Sequence, residues 1–120
     1  MANKTYVLQV GGQERTLDFG KMSFLKELGK IADGFDLLDI KIFSDPAKAY
    51  ESVLLFVWAG LSCGNYKNLP REQVESWVDE LDISEIREIQ YQGFAAITGK
   101  TVDELKNFQA QAENGLQKVV

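Results

Sequence analysis

Residues 4–19 read KTYVLQVGGQERTLDF, two alternating runs joined by Gly11-Gly12. A glycine pair between two runs of period two is a strong short-range signal for a β-hairpin. Both central residues of a type I′ turn need positive φ, which glycine adopts without steric cost. The alternation puts Tyr6, Leu8 and Val10 on one face of the first strand and Thr5, Val7 and Gln9 on the other. In the second strand Leu17 and Phe19 share a face, and Arg15 lies nearer the turn. A lone two-stranded hairpin is marginal in water. It must rest on the remainder of its own chain or pair with another chain through its open edges.

After Gly20 the spacing of apolar residues becomes helical. Met22, Leu25 and Leu28, with Phe24 beside them, mark a helix near 21–30 that Gly29 ends or weakens. Ile31, Phe35, Leu38 and Ile42 recur at helical intervals and predict a second short helix interrupted at Gly34, with Asp33, Asp36 and Asp39 along one edge. Those acids lack the loop pattern of a calcium hand and read as a solvated edge.

The next helix is the best defined. Ser44 or Asp45 caps it, Pro46 occupies its first turn, and Ala47, Tyr50, Leu54, Val57, Trp58 and Leu61 form an apolar stripe. Ala49, Phe56 and Ala59 fall on the opposite side, with Leu55 next to them. A helix apolar all round is either central to its own domain or pressed against a partner. On the second reading Ala49, Leu55, Phe56 and Ala59 are partner-binding residues, and Phe56 is covered by another copy or a client. Further on, Val74, Trp77, Val78 and Leu81 face inwards from a short acidic helix. Asp82 and Glu85 have capping-box spacing and open a helix through Ile83, Ile86, Ile89, Phe94 and Ile97 that stops at Gly99. Thr101 and Glu104 repeat that spacing before a last helix through Val102, Leu105 and Phe108. The fold class is therefore α+β, mostly α: a hairpin over about 4–19, then a bundle of about five helices. All lie in a single domain over 1–120, with a frayed tail from about 114.

Composition narrows the function classes. The 120 residues contain no histidine and one cysteine, Cys63. Ser62, Ser84 and Cys63 thus lack the commonest activating base, and no phosphate-cradling glycine motif is present. Asp79, Glu80 and Asp82 are too close in sequence to oppose one another across a cleft. The expectation is a protein that is not an enzyme and needs no catalytic residue, cofactor or metal. Net charge is −5, and the stretch 71–88 accounts for all of it with seven acids against two arginines. Without a Lys/Arg cluster, nucleic acid is an unsuitable partner. The acids keep a helix surface solvated or offer a basic partner a docking face, in which case Glu72, Glu75 and Asp79 are its contacts. The longest apolar run, 53–61, has nine residues against the ~20 that span a bilayer, and the start lacks the pattern of a signal peptide. No membrane association is expected.

TLDFGKMSFLKELGK at 16–30, DPAKAYESVLLFVWAGL at 45–61 and LPREQVESWVDELD at 69–82, in that order, resemble the tail assembly chaperones of long-tailed bacteriophages. The resemblance covers roughly residues 5–113. It implies a non-enzymatic, self-associating protein of the host bacterial cytoplasm that keeps the tape measure protein soluble, helps recruit tail tube subunits, and is absent from the mature virion. It also implies a longer, frameshifted product whose extra domain contacts the tube protein, this chain being the short, unshifted form; QAENGLQKVV at the C-terminus carries no trace of such a shift. Two other readings are distinguishable from it. An acidic adaptor or inhibitor would bind one folded partner, one to one, through 71–88, and a structural tail component would remain in purified particles.

Overall fold

In the computed structural model, which describes residues 5–20, 22–37, 39–63 and 68–107, the glycine pair closes the turn its sequence predicts. Strand β1 (Thr5–Val10) and strand β2 (Gln13–Asp18) pair antiparallel in the register Val10↔Gln13, Leu8↔Arg15, Tyr6↔Leu17. Gly11 and Gly12 have φ of 62° and 80°, as a type I′ turn requires. One face of the hairpin supplies Leu8, Val10, Leu17 and Phe19 to the core. Its tip is tied down by Gly11, whose N–H donates to the Glu80 carboxylate at 3.2 Å, and by the Arg15 guanidinium 4.0 Å above the Trp77 ring.

Four α-helices carry the remainder: α1 (Met22–Ala32), α2 (Pro46–Ser62), α3 (Arg71–Val78) and α4 (Ile83–Thr98), with a 3-10 turn at Ile40–Phe43. Residues 102–107 are also helical. The fold is thus α+β and mostly α. Helix α2 is the axis around which the hairpin and the other helices pack. Asp45, not Ser44, caps it, accepting a hydrogen bond from the Ala47 N–H, and Pro46 takes the first turn, where its missing donor leaves nothing unpaired. Helix α4 opens with the reciprocal Asp82–Glu85 capping box and ends at Gly99, with φ 77°. Thr101 and Glu104 close a second such box, each bonding the other's backbone N–H.

Several expectations are corrected. Helix α1 runs through Gly29 to Ala32; Phe24 and Leu28 are its buried residues, whereas Met22 is 78% exposed because the first turn overhangs the core. Ile31 therefore belongs to α1, and the second short helix does not form. Asp33 and Gly34 turn the chain with positive φ, and the next regular element is only the 3-10 turn. Asp33, Asp36 and Asp39 consequently share no helical edge. Asp39 instead caps the 3-10 turn and accepts from Lys48 Nζ at 2.7 Å, a bond that holds its carboxyl below the usual carboxylate range. Leu38, Phe108 and the tail from 114 lie outside the described residues.

Helices α2 and α4 run side by side, with Ser52 beside Gln90 and Phe56 against Gly93. The contact at Gly93 is so close that an added Cβ would lie 2.5 Å from the Phe56 ring. Phe56 also faces Phe24 at 6.4 Å, and Phe24 meets Phe19 edge-on at 5.1 Å, so one aromatic file links hairpin, α1, α2 and α4. A smaller cluster of Ile42, Phe43, Phe94 and Leu105 docks the 3-10 turn and residues 102–107 onto the far end of α4.

Candidate partner-binding surface

The first turns of α2 and α4 extend past the core and leave an apolar groove of about 350 Å³ between them. Pro46, Ala49 and Tyr50 form one wall, and Ile83, Ile86 and Arg87 the other. Ile83 is 72% exposed and Tyr50 37% exposed, both large apolar side chains that the fold leaves in water. The groove ends on a buried polar network. Gln90 donates to the Ile42 carbonyl at 2.6 Å and to Ser52 Oγ at 3.4 Å, while Ser52 Oγ donates to the Ala49 carbonyl at 2.8 Å. Arg87 donates to Gln90 Oε1 and to the Phe43 carbonyl. Among the described residues no buried side-chain polar atom is left unpaired. These bonds fix the spacing of the two helices, and the apolar walls hold their separation without an occupant.

Of the apolar partner-binding candidates, the structure leaves only Ala49 at a surface. Leu55, Phe56 and Ala59 are fully buried within this one chain. Their side of α2 is covered by α1, the hairpin and α4, so neither a second copy nor a client is needed to shield them. The opposite stripe is also not what its spacing implies. Tyr50 is exposed, and Trp58 is half-buried along a cleft of about 670 Å³ with Ile31, Phe35, Lys30 and Arg71. Ile83 is likewise exposed, although its spacing from Ile86 and Ile89 places it on the inward stripe. Tyr50 and Ile83 are the groove residues that sequence reasoning missed as surface. Each lies at the start of its helix's apolar stripe, and that position was the available signal.

The acidic residues lie where the spacing predicts. Val74, Trp77 and Val78 anchor α3, and Glu72, Asp79 and Glu80 are exposed. Glu75 is half-buried, 3.8 Å from Arg71, which also pairs with Glu51 at 2.8 Å. Burial, then the charges of Asp79 and Glu75, push the Tyr50 hydroxyl above its ordinary pKa. Replacing Glu72 and Glu75 with Gln and Asp79 with Asn is expected to shift stability by less than ~1 kcal/mol, since exposed ion pairs contribute little. Urea unfolding measures this; a larger loss would mean that the acids hold α3 in place.

Among the described residues no three His, Cys, Asp or Glu side chains are gathered to hold a metal, and no helix is long and apolar enough to cross a membrane. The Cys63 thiol is buried and donates to the Asp18 carbonyl at 3.2 Å, joining the end of β2 to the end of α2. No protein-family model matches the chain, and no curated protein or solved structure matches it either.

Proposed function

We propose that this chain is a non-enzymatic tail assembly chaperone of a long-tailed bacteriophage, acting in the host bacterial cytoplasm and leaving before the virion matures. In this reading it keeps the tape measure protein soluble by holding an amphipathic helical segment in the groove between α2 and α4. One observation carries the reading: the open apolar groove in which Tyr50 and Ile83 stand in water beside a rigid polar floor. Helix-in-groove recognition needs this combination of a preformed apolar slot and exposed anchors at its lip. Several copies along one long client would account for self-association. Recruitment of tail tube subunits then falls chiefly to a longer, frameshifted product.

The test is co-expression with a phage tape measure protein. A Tyr50→Lys, Ile83→Lys double variant should stay folded, with Ile83→Lys within about 0.5 kcal/mol because its side chain is mostly exposed and Tyr50→Lys costing about 1 kcal/mol for the part of the ring that is covered. The client's soluble fraction should fall to the level seen without the chain. An unchanged soluble fraction would remove the groove from the mechanism. A one-to-one complex lost only on neutralising Glu72, Glu75 and Asp79 would favour the adaptor reading, and recovery of the chain from purified particles would favour a structural tail component.

A further inference from the structure

The two edges of the hairpin differ in a way that has nothing to do with the groove. In a two-residue hairpin the pair closing the turn exchanges both hydrogen bonds, and strict alternation sets the others. Val10↔Gln13, Leu8↔Arg15 and Tyr6↔Leu17 are therefore the bonded pairs. The N–H and C=O of Val7 and Gln9 point away from β2, and among the described residues no backbone bond reaches them. Folded proteins guard such edges with charges, proline or bulges. Strand β2 is guarded by Glu14 and Asp18, whereas β1, TYVLQV, has no charge, no proline and no bulge. On its outer face Val7 is 53% exposed.

The ground beside that bare edge is acidic. Strand β2 is the one set against α2, and Tyr6 of β1 lies within reach of charges at the start of α4. Glu80 holds the turn, and Asp82, Glu85 and Glu88 act on Tyr6, whose hydroxyl is pushed up by burial first and by these charges second. Asp82 and Glu85 are engaged in the capping box, and Glu88 has Lys106 at 3.9 Å and Gln92 at 3.1 Å. One carboxylate thus sits at the turn end of β1 and three act at Tyr6 near its start. A second copy of this chain would bring two such sets of carboxylates together, and its net charge of −5 opposes that pairing.

We propose that β1 is a strand-addition site for an extended peptide segment that presents lysine or arginine on alternate residues. The main-chain bonds to Val7 and Gln9 supply sequence-independent affinity. Alternate side chains, all on one face of the added strand, lie nearest the acids at the two ends of β1, and these select a basic segment.

The probe is a synthetic peptide of alternating valine and lysine, compared with its valine–glutamate counterpart and with a form N-methylated on alternate amides. Hydrogen exchange monitored by NMR should show the Val7 and Gln9 amides protected by the lysine peptide and not by the other two. Val7→Pro, which removes an N–H that no strand partner uses, should weaken binding about tenfold, as expected for loss of main-chain pairing at one edge. A Glu85→Gln, Glu88→Gln double variant keeps capping-box chemistry and should roughly halve the salt dependence of binding, since Glu80 and Asp82 remain. If Val7→Pro does not fold, the N-methylated peptide decides the same point against the intact protein. The proposal is overturned by binding that leaves Val7 and Gln9 unprotected, by equal binding of the glutamate peptide, or by no binding. It is also overturned if the chain alone protects those amides as its concentration rises, since the occupant would then be a second copy.

Discussion

A Phe56→Ala protein is expected to lose ~3–5 kcal/mol of stability, much of what a domain this size possesses. The ring is wholly buried and joins α2 to α1 and α4, so truncation leaves a cavity walled by three elements that cannot collapse together. Urea unfolding monitored by circular dichroism should show the midpoint collapse with little change in slope. Phe56→Asp should not yield a folded monomer at all, because an unpaired carboxylate has no water or partner at that site. The spacing of Ala49, Phe56 and Ala59 favours the opposite outcome, a stable monomer that merely fails to self-associate. A Phe56→Ala midpoint close to the parent's would restore that outcome and show that α4 does not cover the ring.

Gly93→Ala should also destabilise, by up to about 2 kcal/mol net, despite the better helix former. Alanine favours a helix interior by about 1 kcal/mol over glycine, but its methyl would lie 2.5–2.7 Å from three atoms of the Phe56 ring. Overpacking of this kind costs typically ~1–3 kcal/mol, and the loss should dominate because the ring has no vacant space to enter. Adding Phe56→Leu to Gly93→Ala should recover part of the loss, giving a coupling energy of ~0.5–3 kcal/mol in a double-mutant cycle. Gly29→Ala is the contrast. Its Cβ would meet nothing within 4 Å, so the propensity term acts alone and stability should rise by about 0.5–1 kcal/mol. If both alanines stabilise, α2 and α4 do not approach closely at Gly93. Trp58→Ala should cost less than Phe56→Ala, because Trp58 is only half-buried.

The features legible in the chain are those whose cause lies within a few residues. Gly11-Gly12 dictates the turn, and the turn dictates the register. Asp82 with Glu85 and Thr101 with Glu104 satisfy orphan donors locally, so those helix starts are readable as spacing alone. The failures share a different cause. Gly29 has helix-breaking character, yet α1 continues because Phe24 and Leu28 before it are buried in the core and Ile31 and Ala32 after it pack against that core. Ile31 and Phe35 share helical spacing with Leu38 and Ile42, but Asp33 and Gly34 adopt positive φ between them and end the helix.

The candidate site divides along the same line. Sequence alone determines that α2 is apolar on both sides, that α3 carries an acidic outer face, and that β1 lacks charge where β2 has it. Each is a local property of composition and period. Only the tertiary structure decides that Phe56, Leu55 and Ala59 are core while Tyr50 and Ile83 stand in water. Period tells which residues share a face of a helix, but not where along its length the neighbouring helix begins and stops. That limit is imposed by Gly93, thirty-seven residues beyond Phe56, which lets α4 close over the ring and leaves the first turns of both helices apart.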